Sequence, residues 1–271
     1  MTRPRPPIAE TGFNSITRRS ALRAGLGGAV AASGALLSGC ASARSKAPAT
    51  SPYPGGRFVT VDGLRIHGVV LGEARHPTDP TLVMIHGAAG NHRDWTYQLT
   101  DRLAPHARII ALDRPGFGLS DRPDQDAASP IRQANLLWRA AVAMGMKRAI
   151  VVGHSFGGAV AMAWALEHPK TTAGLIILAG ATMPWPLDEN FEYLGSGINT
   201  AVRMLFSDKS ASQVALEQIF APQKPSKAYV RHVGLQKDVP LWETVADLRA
   251  LNSELDEMAE RYGALTLPVT L

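Results

Sequence analysis

The chain has 271 residues and a formal net charge of +5. The first 39 residues hold five arginines and one glutamate, and the rest of the chain has 23 basic and 22 acidic residues. This balance argues against nucleic acid as a partner, because nucleic-acid-binding domains cluster Lys and Arg on one surface. The length suits one domain with a small insertion.

Residues 1–39 have the pattern of a signal peptide. Arg18-Arg19 precede an uncharged stretch, residues 24–39, that is shorter than the ~20 apolar residues of a membrane-spanning helix. The arginine pair resembles a twin-arginine export motif, although an ordinary basic leader would contain the same residues. We therefore expect the protein to be exported.

Cys40 is the only cysteine of the chain, and it follows Leu37-Ser38-Gly39. A lone cysteine cannot form an intramolecular disulfide. The four residues resemble a bacterial lipobox, in which the cysteine is acylated and becomes the mature N-terminus. The alternative is an ordinary cleaved signal with an incidental cysteine. On the lipobox interpretation, residues 40–56 are a lipidated cysteine and a flexible tether at a membrane of the bacterial cell envelope.

Apolar runs alternate with helical patterns over residues 57–181. Asp62-Gly63 separates the first two runs, which predicts a hairpin. The strands are predicted at 57–61, 64–71, 82–85, 108–112, 149–152 and 174–180, and the helices at 93–104, 130–145 and 158–168. Continuous apolar strands alternating with helices predict an α/β fold with a mostly parallel sheet covered on both faces.

The pentapeptide Gly153-His154-Ser155-Phe156-Gly157 lies between the strand at 149–152 and an apolar helix. A Gly-x-Ser-x-Gly in a strand-turn-helix context is typical of a nucleophile elbow, in which a sharp turn exposes the serine hydroxyl. Gly153 and Gly157 are expected because a side chain at either position would clash with the neighbouring elements. Ser155 is therefore the predicted nucleophile.

Two further segments extend this interpretation: a strand that runs into His86-Gly87, and a strand that runs into Asp113-Arg114-Pro115-Gly116-Phe117-Gly118-Leu119-Ser120. In this order and spacing, the three segments resemble the α/β-hydrolase family. The resemblance implies an oxyanion hole formed by the backbone N–H groups of Ala88 and Phe156. It also implies that His86 stabilises the turn and that Asp113 to Ser120 form a structural loop without chemistry.

Residues 182–264 show helical patterns without a convincing strand, and the family often inserts a helical cap at this point. We expect a cap over the Ser155 end of the sheet. The candidates for an apolar substrate wall are Met183, Trp185, Phe191, Tyr193, Met204 and Phe206. For any single one of them, the core of the cap is the favoured interpretation. Residues 265–271 are predicted to begin a seventh core strand, and the last strands of the fold are expected to be missing.

Serine chemistry requires a base and an orienting carboxylate, and in this family the chain order is Ser, acid, His. Two histidines follow Ser155. His168 is predicted at the surface, at the far end of the elbow helix, and His232 lies in the cap, so His232 is a weak candidate. Asp188 is a weak candidate for the acid. A C-terminally truncated hydrolase is the simplest interpretation: the acid and the histidine would lie beyond residue 271, and the chain as given would be inactive. A non-catalytic homologue is the rival.

The sequence therefore predicts a serine hydrolase that acts on a small-molecule ester or a related acyl bond without a cofactor or metal. Serine at the elbow argues against epoxide hydrolases and haloalkane dehalogenases, which carry aspartate there in this branch of the family. A carbon–carbon bond hydrolase or a cofactor-free perhydrolase would use the same serine. A binding protein without turnover and an inactive fragment are the remaining alternatives.

Overall fold

The computed structural model describes residues 48–123, 126–184, 223–224, 226–229 and 241–271. Cys40, Asp188 and His232 lie outside these ranges, as does most of the expected apolar wall. Within them, no helix is both long and apolar enough to cross a membrane.

In the described part of the chain, the strands form one sheet: β1 (Gly56–Val61), β2 (Leu64–Leu71), β3 (Thr81–Ile85), β4 (Ile109–Leu112), β5 (Ala149–His154), β6 (Thr172–Leu178) and β7 (Val269–Thr270). The spatial order is β1-β2-β4-β3-β5-β6-β7. β2 pairs antiparallel with β1 and β4, and every other pair is parallel. The prediction of an α/β fold with a mostly parallel sheet is confirmed.

The helices that lie wholly within the described residues are α1 (Arg93–Thr96), α2 (Leu99–Leu103), α3 (Pro130–Ala143), α4 (Phe156–Glu167) and α5 (Leu241–Arg261). Short 3₁₀ turns follow α4 at Pro169–Thr171 and α5 at Tyr262–Ala264. The start of α3 is set by its sequence, because the Ser129 side chain accepts a hydrogen bond from the Arg132 N–H and Pro130 occupies the first turn.

The alternation of side chains along each strand divides the core between the two faces of the sheet. Val151 belongs to the cluster that contains α3, α4 and α5, whereas the next residue, Val152, belongs to the cluster around Trp95 of α1. Successive strand residues point to opposite faces, so a continuous apolar run fills both layers. This arrangement leaves the carboxyl ends of β3 and β5 side by side.

The hairpin at Asp62-Gly63 is confirmed, and its residues have φ values of 50° and 78°, as a type I′ turn requires. The single helix predicted at 93–104 is wrong, because Gln98 has a φ of 69° and separates α1 from α2. A residue in the left-handed region cannot continue a right-handed helix.

Helix α5 corrects the expected extent of the cap. Its residues Leu251, Leu255 and Met258 are buried in the cluster that includes α3 and α4, and Arg261 pairs with Glu167 at the end of α4 at 2.7 Å. Residues 241–261 therefore belong to the helical layer on the sheet, whereas the sequence prediction counted them in the cap. Helical spacing identifies the apolar face of a helix but does not identify its partner.

The predicted seventh strand is present as β7, which lies beside β6, but its paired residues begin later than residue 265. Its pairs are Leu175 with Val269 and Ile176 with Thr270. The carbonyl of Pro268 accepts the Leu175 N–H at 2.9 Å. Proline has no N–H to contribute to the ladder, which is why the paired strand begins only after it.

Candidate active site

Ser155 occupies a sharp turn between the last residue of β5 and the first residue of α4. Its φ is 51° and its ψ is −121°, a conformation that L-residues rarely adopt. The Ser155 N–H donates to the Leu178 carbonyl at 3.1 Å, and its own carbonyl accepts from Gly158 at 2.8 Å and from Ala181 at 3.0 Å. Backbone hydrogen bonds to β6, to α4 and to the segment after β6 therefore hold the strained turn in place.

The glycines of the pentapeptide are required by close backbone approach. A Cβ on Gly153 would overlap the Gly157 carbonyl oxygen, and a Cβ on Gly157 would overlap the carbonyl oxygens of Ile85 and His86. The predicted reason for these two glycines is confirmed. The structure adds Gly158, at which a Cβ would lie 2.6 Å from the Gly180 Cα.

Gly157→Ala is expected to destabilise the protein by about 1–3 kcal/mol or more, because its Cβ would displace the backbone at the end of β3. The matched control is Gly263→Ala, where a Cβ would meet nothing within 4 Å. The free energy of unfolding from urea denaturation should fall only for Gly157→Ala. An equal loss in both variants would contradict this explanation of the glycine.

The turn after β3 lies directly against Ser155. A Cβ on Gly87 would lie 3.0 Å from the Ser155 Cβ and 3.0 Å from Nδ1 of His154. The N–H groups of Ala88 and Phe156 donate to no backbone carbonyl within the described ranges. Ala88 follows Gly87 and Phe156 follows Ser155, so the two donors of the predicted oxyanion hole lie on the two turns that meet at the serine.

His86 stabilises this turn, as predicted. The Arg114 backbone N–H donates to its Nε2 at 2.9 Å, so its Nδ1 carries the proton and donates to the Gly87 carbonyl at 2.9 Å. Burial, reinforced by the Arg114 charge, lowers the pKa of His86 to about 3. A neutral imidazole with both nitrogens occupied cannot serve as the base for Ser155.

Asp113 is the centre of a buried polar cluster. One carboxylate oxygen accepts the backbone N–H and the Nδ1–H of His92 at 2.7 and 2.9 Å. The other oxygen accepts Nδ1–H of His67 at 2.8 Å and the Leu119 N–H at 3.0 Å. Burial favours a raised pKa, but the charge of His92 and the hydrogen bonds from both histidines hold the pKa of Asp113 well below its usual range.

His67, His92 and Asp113 have potential metal-ligand atoms that all lie within 4.8 Å of one another. Among the described residues, no other group of His, Cys, Asp and Glu side chains is arranged in this way. Each carboxylate oxygen already accepts two N–H donors, and both imidazoles direct an N–H at the carboxylate. A cation would have to replace these donors. The donor set therefore fits a hydrogen-bonded hub, which agrees with the structural role predicted for the Asp113 loop.

Asp94 is a carboxylate near the site that the sequence analysis missed. The residue as a whole is half-buried, but its carboxyl group is enclosed, and a Cβ on Gly90 would overlap it. Burial raises the pKa of Asp94 to about 6. A helix first turn is a common position for a solvated acid, so no sequence signal distinguishes Asp94 from a surface residue.

His168 follows the last residue of α4, at the opposite end of that helix from Ser155. It was predicted as a surface residue, but its ring stacks on Trp138 with the centroids 4.0 Å apart and its Nε2 bonds to Asn135 at 2.9 Å. It is half-buried between α3 and α4. The twelve residues of α4 separate it from the serine, so it has no access to the reaction.

Residues 82–265, more than half of the chain, match the model of the alpha/beta hydrolase family. The sheet order, the serine turn after β5 and the His-Gly turn after β3 agree with this match. The chain therefore belongs to the alpha/beta hydrolase family.

Three similar proteins illustrate the range of the family. A 1-acylglycerol-3-phosphate O-acyltransferase from Arabidopsis thaliana is 36% identical over 121 residues, which are 42% of this chain and 28% of that protein. A 2-hydroxymuconate semialdehyde hydrolase from Pseudomonas sp. (strain CF600) is 32% identical over 113 residues, 41% of this chain and 40% of that protein. The structure of an esterase from Exiguobacterium antarcticum has a TM-score of 0.64 at 22% identity and covers 79% of each chain.

Proposed function

We propose that this protein is a serine hydrolase that cleaves an ester or a related acyl bond, with Ser155 as the nucleophile. The observation that carries the proposal is the strained turn that holds Ser155 against the Gly87 turn, with a φ of 51°. Strain of this kind persists only where the surroundings impose it, and it is concentrated at functional sites.

In the proposed reaction, the Ser155 Oγ forms a bond to the carbonyl carbon of the substrate and loses its proton to a base. The carbonyl oxygen becomes an oxyanion that the Ala88 and Phe156 N–H groups bind. The alcohol leaves with a proton, and water then releases the acid and restores the serine. His232 and Asp188 are the candidates within this chain for the base and its orienting carboxylate, and both lie outside the described residues.

The relatives support acyl chemistry for this chain but do not identify its substrate. One is an O-acyltransferase, and the fold is similar to that of an esterase. The chain spans less than half the length of these curated relatives, so their activities enter only as support for a class of reaction.

A carbon–carbon bond hydrolase is the second candidate, and the 32% identity to a 2-hydroxymuconate semialdehyde hydrolase favours it. Both reactions place an oxyanion beside the same serine, so the geometry of the elbow does not distinguish the two activities.

An assay of p-nitrophenyl acyl esters, a 2-hydroxy-6-oxo-dienoate and an epoxide with the same preparation distinguishes them. We expect turnover of the esters; turnover of the dienoate alone would replace the proposal with the second candidate.

We further propose that the protein is exported and anchored by a lipid on Cys40. The arginine pair, the uncharged stretch of residues 24–39 and the position of the single cysteine support this. An acyl chain contributes about 0.8 kcal/mol per buried CH₂, and stable anchoring takes more than one chain.

Cys40→Ser is expected to move the protein from the membrane pellet to the soluble fraction of the cell envelope. Ser42→Ala, two residues further along, is the control and should leave the protein in the pellet. Mass spectrometry of the mature N-terminus gives an independent readout. An unacylated N-terminus in the unsubstituted protein would refute the anchor.

A further inference from the structure

Arg114 is a fully buried arginine that the proposed chemistry does not yet use. Its side chain has no exposed surface, although arginine is almost never buried without partners. It follows Asp113 in the loop after β4, a position that the sequence analysis assigned to structure alone.

The guanidinium of Arg114 binds the turn that carries the predicted oxyanion donor Ala88. Its Nε donates to the His86 carbonyl at 3.1 Å, and its Nη2 donates to the Gly87 carbonyl at 3.0 Å. The planar fork of arginine allows one side chain to bind two successive carbonyls, which a lysine ammonium cannot reproduce.

The bond to the Gly87 carbonyl determines where the Ala88 N–H points. The two groups belong to the same peptide unit, and in a planar trans peptide the C=O and the N–H point in opposite directions. Arg114 Nη2 and His86 Nδ1 both donate to this carbonyl, so the Ala88 N–H points away from them. A charged donor also polarises the peptide and strengthens its N–H as a donor.

The faces of the guanidinium contact the second half of the site. Its carbon lies 4.4 Å from the centroid of the Phe156 ring and 4.2 Å from that of Phe117. Phe156 supplies the other predicted oxyanion N–H, and its side chain is 1% exposed. One cation therefore binds the peptide group that carries the Ala88 N–H and also contacts the Phe156 ring.

Asp247 of α5 supplies the counter-charge from far along the chain. Its Oδ2 accepts Arg114 Nη1 at 2.6 Å and Gln133 Nε2 at 3.3 Å, and its Oδ1 accepts Arg122 Nη2 at 2.9 Å. Burial lowers the pKa of Arg114, and the Asp247 carboxylate opposes that shift. The Asp247 carboxylate therefore offsets the free-energy cost of burying the Arg114 guanidinium, which an isolated buried charge would bear in full.

We propose that Arg114 is a positioning residue that aims the Ala88 N–H at the oxyanion and supports the Phe156 ring beside it, with Asp247 as its counter-ion. This inference rests on the proposed serine chemistry. It assigns α5 a part in the active site, because α5 bears the carboxylate that holds the guanidinium on the turn.

The test compares Arg114→Lys with Arg122→Gln on the full chain. Arg114→Lys keeps the charge but loses the paired guanidinium donors. Arg122→Gln removes the other charged partner of Asp247 and leaves the hydrogen bonds from Arg114 to the turn in place. With an alkyl fluorophosphonate as the probe, we expect Arg114→Lys to lower the maximal labelling rate of Ser155 at least about tenfold, because the phosphonyl oxygen occupies the oxyanion hole. The probe concentration for half-maximal labelling should stay within about twofold, and Arg122→Gln should label at close to the unsubstituted rate.

A second readout does not depend on catalysis. The amide resonances of Ala88 and Phe156 in a ¹⁵N-labelled sample should shift in Arg114→Lys and stay in place in Arg122→Gln. Should Arg114→Lys fail to fold, Asp247→Asn is the deciding variant, and we expect at least about threefold slower labelling, since an amide holds the guanidinium less strongly than a carboxylate.

The outcomes separate the two proposals. No labelling of the unsubstituted chain would refute the proposed function and this inference together. A second outcome is that the unsubstituted chain labels normally and a folded Arg114→Lys variant keeps both its labelling rate and its Ala88 resonance. This outcome would refute the inference about Arg114 and leave the proposed function intact. An unchanged rate in Asp247→Asn would overturn the role of the counter-ion.

Discussion

Ser155→Ala is expected to abolish covalent labelling by a fluorophosphonate and to reduce ester hydrolysis by about 10⁶-fold when the base is in place. The hydroxyl is the only group removed. The Gly87 turn and both oxyanion donors stay, so a residual acceleration of about 10³–10⁴ over water is the expected floor. Because alanine and serine both carry a Cβ and are about equally strained at the positive φ of this position, the fold should lose little stability.

The measurement pairs the labelling gel with the rate of p-nitrophenyl ester hydrolysis. Ser253→Ala, which removes an exposed hydroxyl on α5, is the matched control and should be unchanged in both. Full labelling of Ser155→Ala would place the nucleophile elsewhere and refute the central assignment.

Asp113→Asn is expected to destabilise the fold by about 3–5 kcal/mol at neutral pH. Four N–H donors converge on the two oxygens of Asp113. An asparagine replaces one oxygen by an NH₂ group, which would oppose two of those donors and leave them buried without an acceptor. Asp62→Asn is the control, because the Asp62–Arg139 pair is solvent-exposed and contributes little.

The destabilisation should depend on pH in a defined direction. The pKa of Asp113 is lowered in the folded protein, so its contribution to stability is present above the pKa of the unfolded carboxyl, about 4, and is lost as the pH falls below it. The difference in the free energy of unfolding between the unsubstituted protein and Asp113→Asn should therefore narrow below about pH 4, by up to about 1.4 kcal/mol per pH unit. A difference that is independent of pH from 2 to 7 would show that the carboxylate charge is not what Asp113 contributes.

The sequence alone was sufficient for the local features of the site. Gly153 and Gly157 flank Ser155 in a strand-turn-helix context, and the structure shows the backbone contacts that exclude a side chain at both glycines. The hairpin at Asp62-Gly63 was also predicted correctly. These features depend on residues a few positions apart, so their patterns can be interpreted without the rest of the chain.

Only the tertiary structure showed where α5 packs and what Arg114 does. The helical spacing of Leu251, Leu255 and Met258 identifies an apolar face, but a cap and a layer on the sheet would bury that face equally well. Arg114 and Asp247 are 133 positions apart in the chain, and each would pass for a surface residue in its own segment. The burial of a charge is decided by the partner that the fold brings to it, and no local pattern of residues contains that partner.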